Sequence, residues 1–148
     1  MKLYYSVNCG KDCEYYSNKH LEEKWKDALL YGEILNGYKV SNFGGITKDG
    51  QNDKRYFDKN DGEIYIKINE KYIKLYVIIA STFLPEPVDG YGDKNNRKHV
   101  HHRDNNSYNF NPDNMMFLDD VTHGKQPHLK LPYNDEWNIL IDKICKND

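Results

Sequence analysis

The sequence has few of the features that mark membrane or secreted proteins. No apolar run approaches the ~18 residues that a membrane-spanning helix needs. The 148 residues include only three cysteines, Cys9, Cys13 and Cys145, too few and too odd in number for a disulfide framework. The N-terminal stretch also lacks the apolar segment of a secretory signal. We therefore expect a cytoplasmic protein with reduced thiols and no membrane partner.

The sequence also has no large excess of charge of either sign. Its 21 basic and 23 acidic side chains give a net charge of -2, which argues against a strongly basic nucleic-acid binder. The charge is uneven, since residues 1–37 carry -1, residues 38–103 carry +3 and residues 104–148 carry -4. We therefore expect any surface that contacts phosphate to come from the middle segment, although a solvated lysine-rich surface would have the same composition.

The first third of the chain shows helical and then strand-like patterns. Residues 11–31 are rich in helix-forming residues and space their apolar side chains three to four apart, which predicts an amphipathic helix. The Asn36-Gly37 pair predicts a turn, and the Gly44-Gly45 pair predicts a tight corner between two short strands. A chain of this length fits one compact domain or a domain with a small appendage.

The middle of the chain predicts three strands followed by a buried helix. RYFD, EIYIKI and KYIKLY, within residues 55–76, are separated by hairpin turn residues. The apolar run 76–83 predicts a helix that Leu84-Pro85 ends, and residues 85–98 predict a loop. Residues 132–148 predict a short amphipathic helix. Its apolar face could dock on the core or form a dimer contact, so monomer and homodimer both remain open.

Five of the six histidines lie within residues 99–128. His101 and His102 are adjacent, and neighbouring residues of a strand point to opposite faces, so we expect different tasks for the two side chains. Together with His123 they offer several imidazole nitrogens that a fold can bring together around a metal ion. Asp119 or Thr122 is a plausible N-cap, which would place His123 in the first turn of a helix.

The spacing of these residues resembles that of the HNH nucleases with the ββα-metal fold, in the branch that includes phage and intron homing endonucleases. His102, Asn114 and His123 stand 12 and 9 residues apart, like the three residues that name the family. Intervening positions also match the branch, namely Asp104, Asn106 and Asn109, while Phe117 stands where tryptophan is usual.

A second resemblance lies upstream. Residues 22–46 are similar to the tryptophan and YxVSNxG motif of a small module found ahead of HNH domains, and residues 73–87 are similar to the family's helix leading to FxPxP. The resemblance implies an α+β protein with a ββα-metal (His-Me finger) core, a small N-terminal α/β module and a short C-terminal helix. The expected divisions are residues 1–50, 51–131 and 132–148.

The resemblance implies a metal-dependent DNA endonuclease with one divalent ion on the scissile phosphate. His102 would be the general base, and Asn114 would orient it. His101 and His123 would bind the ion, although His101 stands where this branch commonly has Asp or Asn. Mg²⁺ or Mn²⁺ is expected, and two imidazoles also suit Zn²⁺ or Ni²⁺. DNA phosphates would meet the basic residues of the middle segment, Lys67, Lys71, Arg97, Lys98 and Arg103.

Two other functions fit the same sequence. One is a DNA-binding protein with an inactive or structural metal site, which would shift plasmid DNA without nicking it. The other is an RNA-cleaving or toxin nuclease, which a panel of substrates would reveal. The sequence does not indicate the target site or whether one strand or both are cut.

Overall fold

A computed structural model describes residues 22–103 and 105–119 of the chain. This part contains nine strands, one α-helix and one 3-10 turn. The strands form a four-stranded sheet, a three-stranded sheet and a two-stranded hairpin. The predicted C-terminal helix, all three cysteines, His123 and Asp104 lie outside the described residues. None of the described helices is long and apolar enough to cross a membrane.

The four-stranded sheet is antiparallel and follows chain order. Its strands are β1 (Trp25–Leu30), β2 (Glu33–Ser41), β3 (Ile46–Lys48) and β4 (Gln51–Asn52). The β2–β3 connection contains the Gly44-Gly45 pair, so the predicted corner is confirmed. The outer strand β1 pairs with β2 from Trp25 opposite Ser41 to Leu30 opposite Glu33.

Two predictions for this region are wrong. Residues 25–30 form strand β1 rather than the end of a helix, and the described part of the N-terminal module, residues 22–50, contains no helix. The pairing of residues 25–30 with β2, and their contacts with the helix of residues 75–83, outweigh the local helix propensity of this segment. Asn36-Gly37 lies inside β2 rather than at a turn, where Gly37 has a φ of 84° and its carbonyl accepts a hydrogen bond from Asp49 N.

The three-stranded sheet forms where the sequence predicts it. It consists of β5 (Arg55–Asp58), β6 (Glu63–Ile68) and β7 (Lys71–Lys74), paired antiparallel with β6 in the centre. Alternate residues of β6 are buried, Ile64, Ile66 and Ile68, so one face of this sheet joins the core.

The predicted buried helix is confirmed as α1 (Leu75–Phe83), which starts directly after β7. Two of its hydroxyl groups accept hydrogen bonds from the backbone of Leu29 in the edge strand β1 and of Tyr31 directly after it. Leu29 N donates to Thr82 Oγ1 at 2.9 Å and Tyr31 N donates to Ser81 Oγ at 3.2 Å. These bonds hold β1 in an extended conformation against the helix.

Residues 85–98 form the predicted loop and lead into the hairpin of β8 (His99–His102) and β9 (Met115–Leu118). The 3-10 turn Pro112–Asn114 directly precedes β9. One hydrophobic cluster joins the three sheets and the helix, with Val40, Ile66, Ile79 and Phe110 among its buried members. The hairpin that carries the two adjacent histidines is therefore attached directly to the core.

Candidate active site

The β8–β9 hairpin places two histidines in buried positions at the end of β8 that leads into the connecting loop. His101 pairs with Met116 and His102 pairs with Met115. Both histidines are 7% exposed, whereas His99 at the other end of β8 is exposed. Neighbouring residues of a strand point to opposite faces, so the two side chains are expected to differ in direction unless the strand bends between them.

Asn114 lies across from the end of β8. Its carbonyl accepts a hydrogen bond from Arg103 N at 2.7 Å, and its side-chain amide donates to the carbonyl of Asn109 at 3.3 Å. The residue is fully buried. The structure therefore brings Asn114 to the backbone next to His102 and links it to the loop that connects the two strands.

This connecting loop is built from asparagine side chains that bond to the backbone two residues ahead. The Oδ1 atoms of Asn106, Asn109 and Asn111 accept from the N–H groups of residues 108, 111 and 113, at 3.0, 3.2 and 3.0 Å. Each bond closes an Asx turn, which explains why asparagine occurs so often here. We infer that these three asparagines shape the loop that delivers Asn114.

The turn before β6 anchors the same loop from outside the hairpin. The Tyr108 hydroxyl donates to the carbonyl of Gly62, and the Ser107 hydroxyl donates to the carboxylate of Glu63. Burial raises the pKa of Glu63 to about 7, opposed by the charge of Lys74 and by the Ser107 hydrogen bond. No motif of the sequence points to Glu63, because its role depends on a contact between residues 44 positions apart.

Tyr76 is a second residue that the sequence analysis missed. Its ring meets that of His102 edge to face, with centroids 4.7 Å apart and an interplanar angle of 90°. Burial, and then the charge of Glu63, raise the pKa of the Tyr76 hydroxyl, so the phenol stays neutral. The position of Tyr76, as a residue with a polar hydroxyl at the start of the largely apolar run 76–83, was the one feature of the sequence that could have indicated it. This contact restricts the orientation of the His102 ring.

The predicted phosphate contacts around the hairpin have different surroundings. Arg103 is exposed beside His102. Arg97 lies over the Tyr31 ring, 4.7 Å from its centroid, and donates to the carbonyl of Gly92. Lys98 forms an ion pair with Asp89 at 2.7 Å, and its side chain is only 15% exposed. Of the three cations, Arg103 is the most available to a ligand.

The two predicted contacts on the three-stranded sheet lie near its β6–β7 turn. Lys71 is exposed, and Lys67 forms an ion pair with Glu70 at 3.4 Å. Lys67 also lies over the ring of Tyr72. Both lysines are therefore on a surface of the sheet rather than in the hairpin.

One of the two predicted metal ligands lies within the described residues. The part of the chain that the structure describes holds no cluster of three or more His, Cys, Asp or Glu side chains. Of the two predicted ligands, His101 is in place on β8, while His123 lies outside the described residues. An imidazole such as that of His101 is a suitable ligand for Mn²⁺, Ni²⁺ or Zn²⁺ and a poorer one for Mg²⁺.

Comparison with known proteins gives one structural likeness. No family model and no curated protein matches the sequence. A solved structure of the HNH homing endonuclease I-HmuI, described as showing DNA binding and cleavage by that enzyme, is similar with a TM-score of 0.47 and 22% sequence identity. The similarity covers 81% of this chain and 66% of the I-HmuI chain.

Proposed function

We propose that this protein is a metal-dependent DNA endonuclease of the HNH type, with His102 as the general base. The observation that carries the proposal is the placement of His102, buried at the end of β8, beside Asn114, buried directly before β9. In sequence these residues stand at the spacing that the HNH pattern requires. The hydrogen bond between Arg103 N and the Asn114 carbonyl brings these two residues together in the folded hairpin, which supports the assignment independently of their spacing in sequence.

His102 suits proton abstraction from water. Imidazole titrates near neutral pH, so it accepts a proton from the attacking water and leaves hydroxide to form the new bond to phosphorus. The 3′ oxygen then leaves as the old phosphodiester bond breaks. The edge-to-face contact with Tyr76 and the backbone link through Arg103 and Asn114 fix the base before substrate arrives. A fixed base avoids the entropic cost of orienting it during the reaction.

His101 and His123 would hold the divalent cation. When bound, the ion supplies positive charge to the scissile phosphate and to the leaving oxygen. Two imidazoles favour Mn²⁺, Co²⁺, Ni²⁺ or Zn²⁺ in affinity, and Mg²⁺ supports turnover at higher concentration. We expect His101→Asp to shift the ratio of Mg²⁺ to Ni²⁺ activity towards Mg²⁺, and His123→Ala to weaken Mn²⁺ binding in calorimetry. An unchanged ratio or unchanged binding would remove the residue concerned from the ligand set.

DNA would be held by cations of the middle segment, Lys67, Lys71, Arg97, Lys98 and Arg103. With roughly 4 to 6 phosphates neutralised, the logarithm of the binding constant should fall with the logarithm of salt concentration with a slope of about -4 to -5. Binding at physiological salt should therefore be weak. A slope near zero in fluorescence anisotropy would show that this segment is not the DNA face.

The direct test is incubation of supercoiled plasmid with the protein and Mg²⁺ or Mn²⁺. An endonuclease produces nicked or linear plasmid, and EDTA prevents it. The competing function, a DNA-binding protein with an inactive or structural metal site, retards the plasmid in a gel without cutting it. A matched RNA substrate in the same assay separates a DNA nuclease from a ribonuclease.

A further inference from the structure

One face of the three-stranded sheet carries tyrosines and lysines instead of a hydrophobic cover. Tyr56 pairs with Tyr65, Tyr65 pairs with Lys74, and Lys67 pairs with Tyr72. These positions alternate with the buried isoleucines of β6, so they point away from the core. With Lys54, which precedes β5, they form what we call the tyrosine–lysine face: Lys54, Tyr56, Tyr65, Lys67, Tyr72 and Lys74.

The rings of this face are close together and accompanied by ammonium groups. The Tyr56 and Tyr72 rings meet edge to face with centroids 5.4 Å apart. Lys54 Nζ lies 4.9 Å from the Tyr56 centroid and Lys67 Nζ lies 5.7 Å from that of Tyr72. Tyr72 is 56% exposed, so its ring is accessible to a ligand.

The face continues to the candidate active site. Lys74 Nζ lies 5.7 Å from the ring centroid of Tyr76, and Tyr76 contacts the ring of His102. A chain of neighbouring side chains therefore runs from Tyr72 to the proposed general base.

The tyrosine–lysine face carries three positive charges, and acidic side chains lie at both of its ends. Its three lysines lie among the rings. At one end, Glu70 in the β6–β7 turn pairs with Lys67. At the other end Asp58, Asp61 and Glu63 flank the β5–β6 turn. Burial raises the pKa of Glu63 to about 7, so this carboxyl is partly neutral at neutral pH and reduces the positive potential only in part.

We propose that the tyrosine–lysine face binds unpaired nucleotides of a DNA strand, with Tyr56 and Tyr72 stacking on bases and the lysines contacting phosphates. Tyr72 is exposed and Tyr56 is half-buried beside it, and aromatic rings accompanied by cations are the combination that single-strand binders use. A lysine over an exposed ring contributes less than a stacked base, so a base can displace the ammonium group, which then contacts the backbone. In a duplex the base faces are hidden in the stack, and the rings would have nothing equivalent to contact. The proposal names the form of substrate for the proposed nuclease, and so rests on that function.

The experiment measures binding in EDTA, so that it does not depend on cleavage. The probes are a fluorescently labelled single-stranded DNA, its duplex and a strand of the same length made of abasic nucleotides, compared by anisotropy at one salt concentration. We expect the single strand to bind tighter than the abasic strand. Tyr72→Leu should weaken single-strand binding by about 5- to 100-fold, as measured for lost base stacking, and leave duplex binding within about 2-fold.

Tyr38→Leu is the matched control. Tyr38 lies on β2 of the other sheet and also has a lysine over its ring, with Lys48 Nζ 4.5 Å from the centroid. We expect it to leave single-strand binding unchanged. Tyr72→Phe should retain the affinity, because it keeps the stacking ring. Urea unfolding of each variant shows whether the fold is kept, and Tyr56→Leu replaces Tyr72→Leu if the latter does not fold.

Equal affinity for abasic and normal strands would overturn the proposal, as would equal losses by Tyr72→Leu and Tyr38→Leu. The plasmid assay separates this proposal from the nuclease function. Cleavage without base-dependent binding refutes the stacking face alone. Base-dependent binding without cleavage supports the face and refutes the endonuclease.

Discussion

The β2–β3 turn and the β8–β9 hairpin both contain buried polar residues that belong to sequence motifs. The two regions differ in what these residues do. In the turn, Ser41 Oγ donates to Glu23 at 2.8 Å and accepts from the N–H groups of Phe43 and Gly45 at 3.2 and 2.9 Å. Asn42 bonds through both ends of its amide to the backbone of residues 22 and 24. These side chains tie the incoming chain to the turn, so the structure accounts for the motif by folding alone.

The histidine hairpin differs because its buried side chains include two titratable ones, His101 and His102, next to the exposed Arg103. Asparagine side chains close the turns of its loop, as Ser41 and Asn42 do in the β2–β3 turn. A glycine joins the two regions. Gly44 has a φ of 90°, and a Cβ there would lie 2.6 Å from the Phe110 ring. The turn therefore supports the hairpin loop by close contact, and we propose that the chemistry resides in the hairpin.

The largest predicted effect is the loss of cleavage in His102→Ala. Loss of a general base should lower the rate by about 100- to 10,000-fold, while duplex binding changes little because the base contacts water rather than DNA. Plasmid cleavage and anisotropy measure the two quantities. His99→Ala, in the same strand but exposed, is the control. Near-normal cleavage by His102→Ala would remove this residue from the role.

The next effect concerns the anchor of the hairpin loop. Burial raises the pKa of Glu63 to about 7 in the folded protein, against about 4.3 in an unfolded chain. The folded state therefore binds more protons between these values, so the contribution of this carboxyl to stability is largest below about pH 4.5, falls as the pH rises and levels off above about 7. The loss is at most about 4 kcal/mol.

Glu63→Gln should remove this pH dependence, because its amide stays neutral and still accepts from the Ser107 hydroxyl. Urea unfolding of both proteins at pH 4.5, 6 and 8 gives the difference in stability. Glu70→Gln is the control, since the Glu70 side chain is 91% exposed. A wild-type curve that runs parallel to that of Glu63→Gln would show that this carboxyl is not shifted.

Ser41→Ala tests the structural half of the comparison. It leaves the N–H groups of Phe43 and Gly45 without their side-chain acceptor, which should cost about 1–3 kcal/mol of unfolding free energy. The cleavage rate per folded molecule should stay unchanged. Urea unfolding together with plasmid cleavage below the transition measures both. A slower enzyme of full stability would mean that the turn takes part in the reaction.

The smallest effect distinguishes two cations near the hairpin. Arg103→Ala should reduce the magnitude of the salt slope for duplex binding by about 0.9, the value for one phosphate contact. Lys98→Ala should reduce it less, because Asp89 already neutralises this ammonium group. Anisotropy across a salt series with a catalytically inactive variant measures the slope. Equal reductions would show that DNA displaces Asp89.

Local patterns predicted much of the fold. The three strands of residues 55–74 and helix α1 were predicted because alternation, turn residues and Leu84-Pro85 are all local signals. Strand β1 was not, because its conformation depends on pairing with β2 and on hydrogen bonds to Ser81 and Thr82, which span 50 and 53 positions. The Asn36-Gly37 pair was wrongly predicted to form a turn, because a glycine with positive φ occurs at irregularities within strands as well as in turns.

Part of the candidate site was also predictable from the sequence. Spacing indicated His101, His102 and Asn114, which the structure places together on one hairpin. Tyr76 and Glu63 were missed, because each reaches the site from another element. The roles of His102 and Asn114 in catalysis stay predictions, and so do the placement of His123 and the division into domains.

One measurement tests the central claim directly, namely cleavage of supercoiled plasmid with Mn²⁺ by His102→Ala and Ser41→Ala, normalised to the folded fraction. The account predicts that His102→Ala is folded and inactive, whereas Ser41→Ala is less stable and fully active per folded molecule. An active His102→Ala would contradict the account, as would equal loss of activity in both variants, because the chemistry would then not reside in the histidine hairpin.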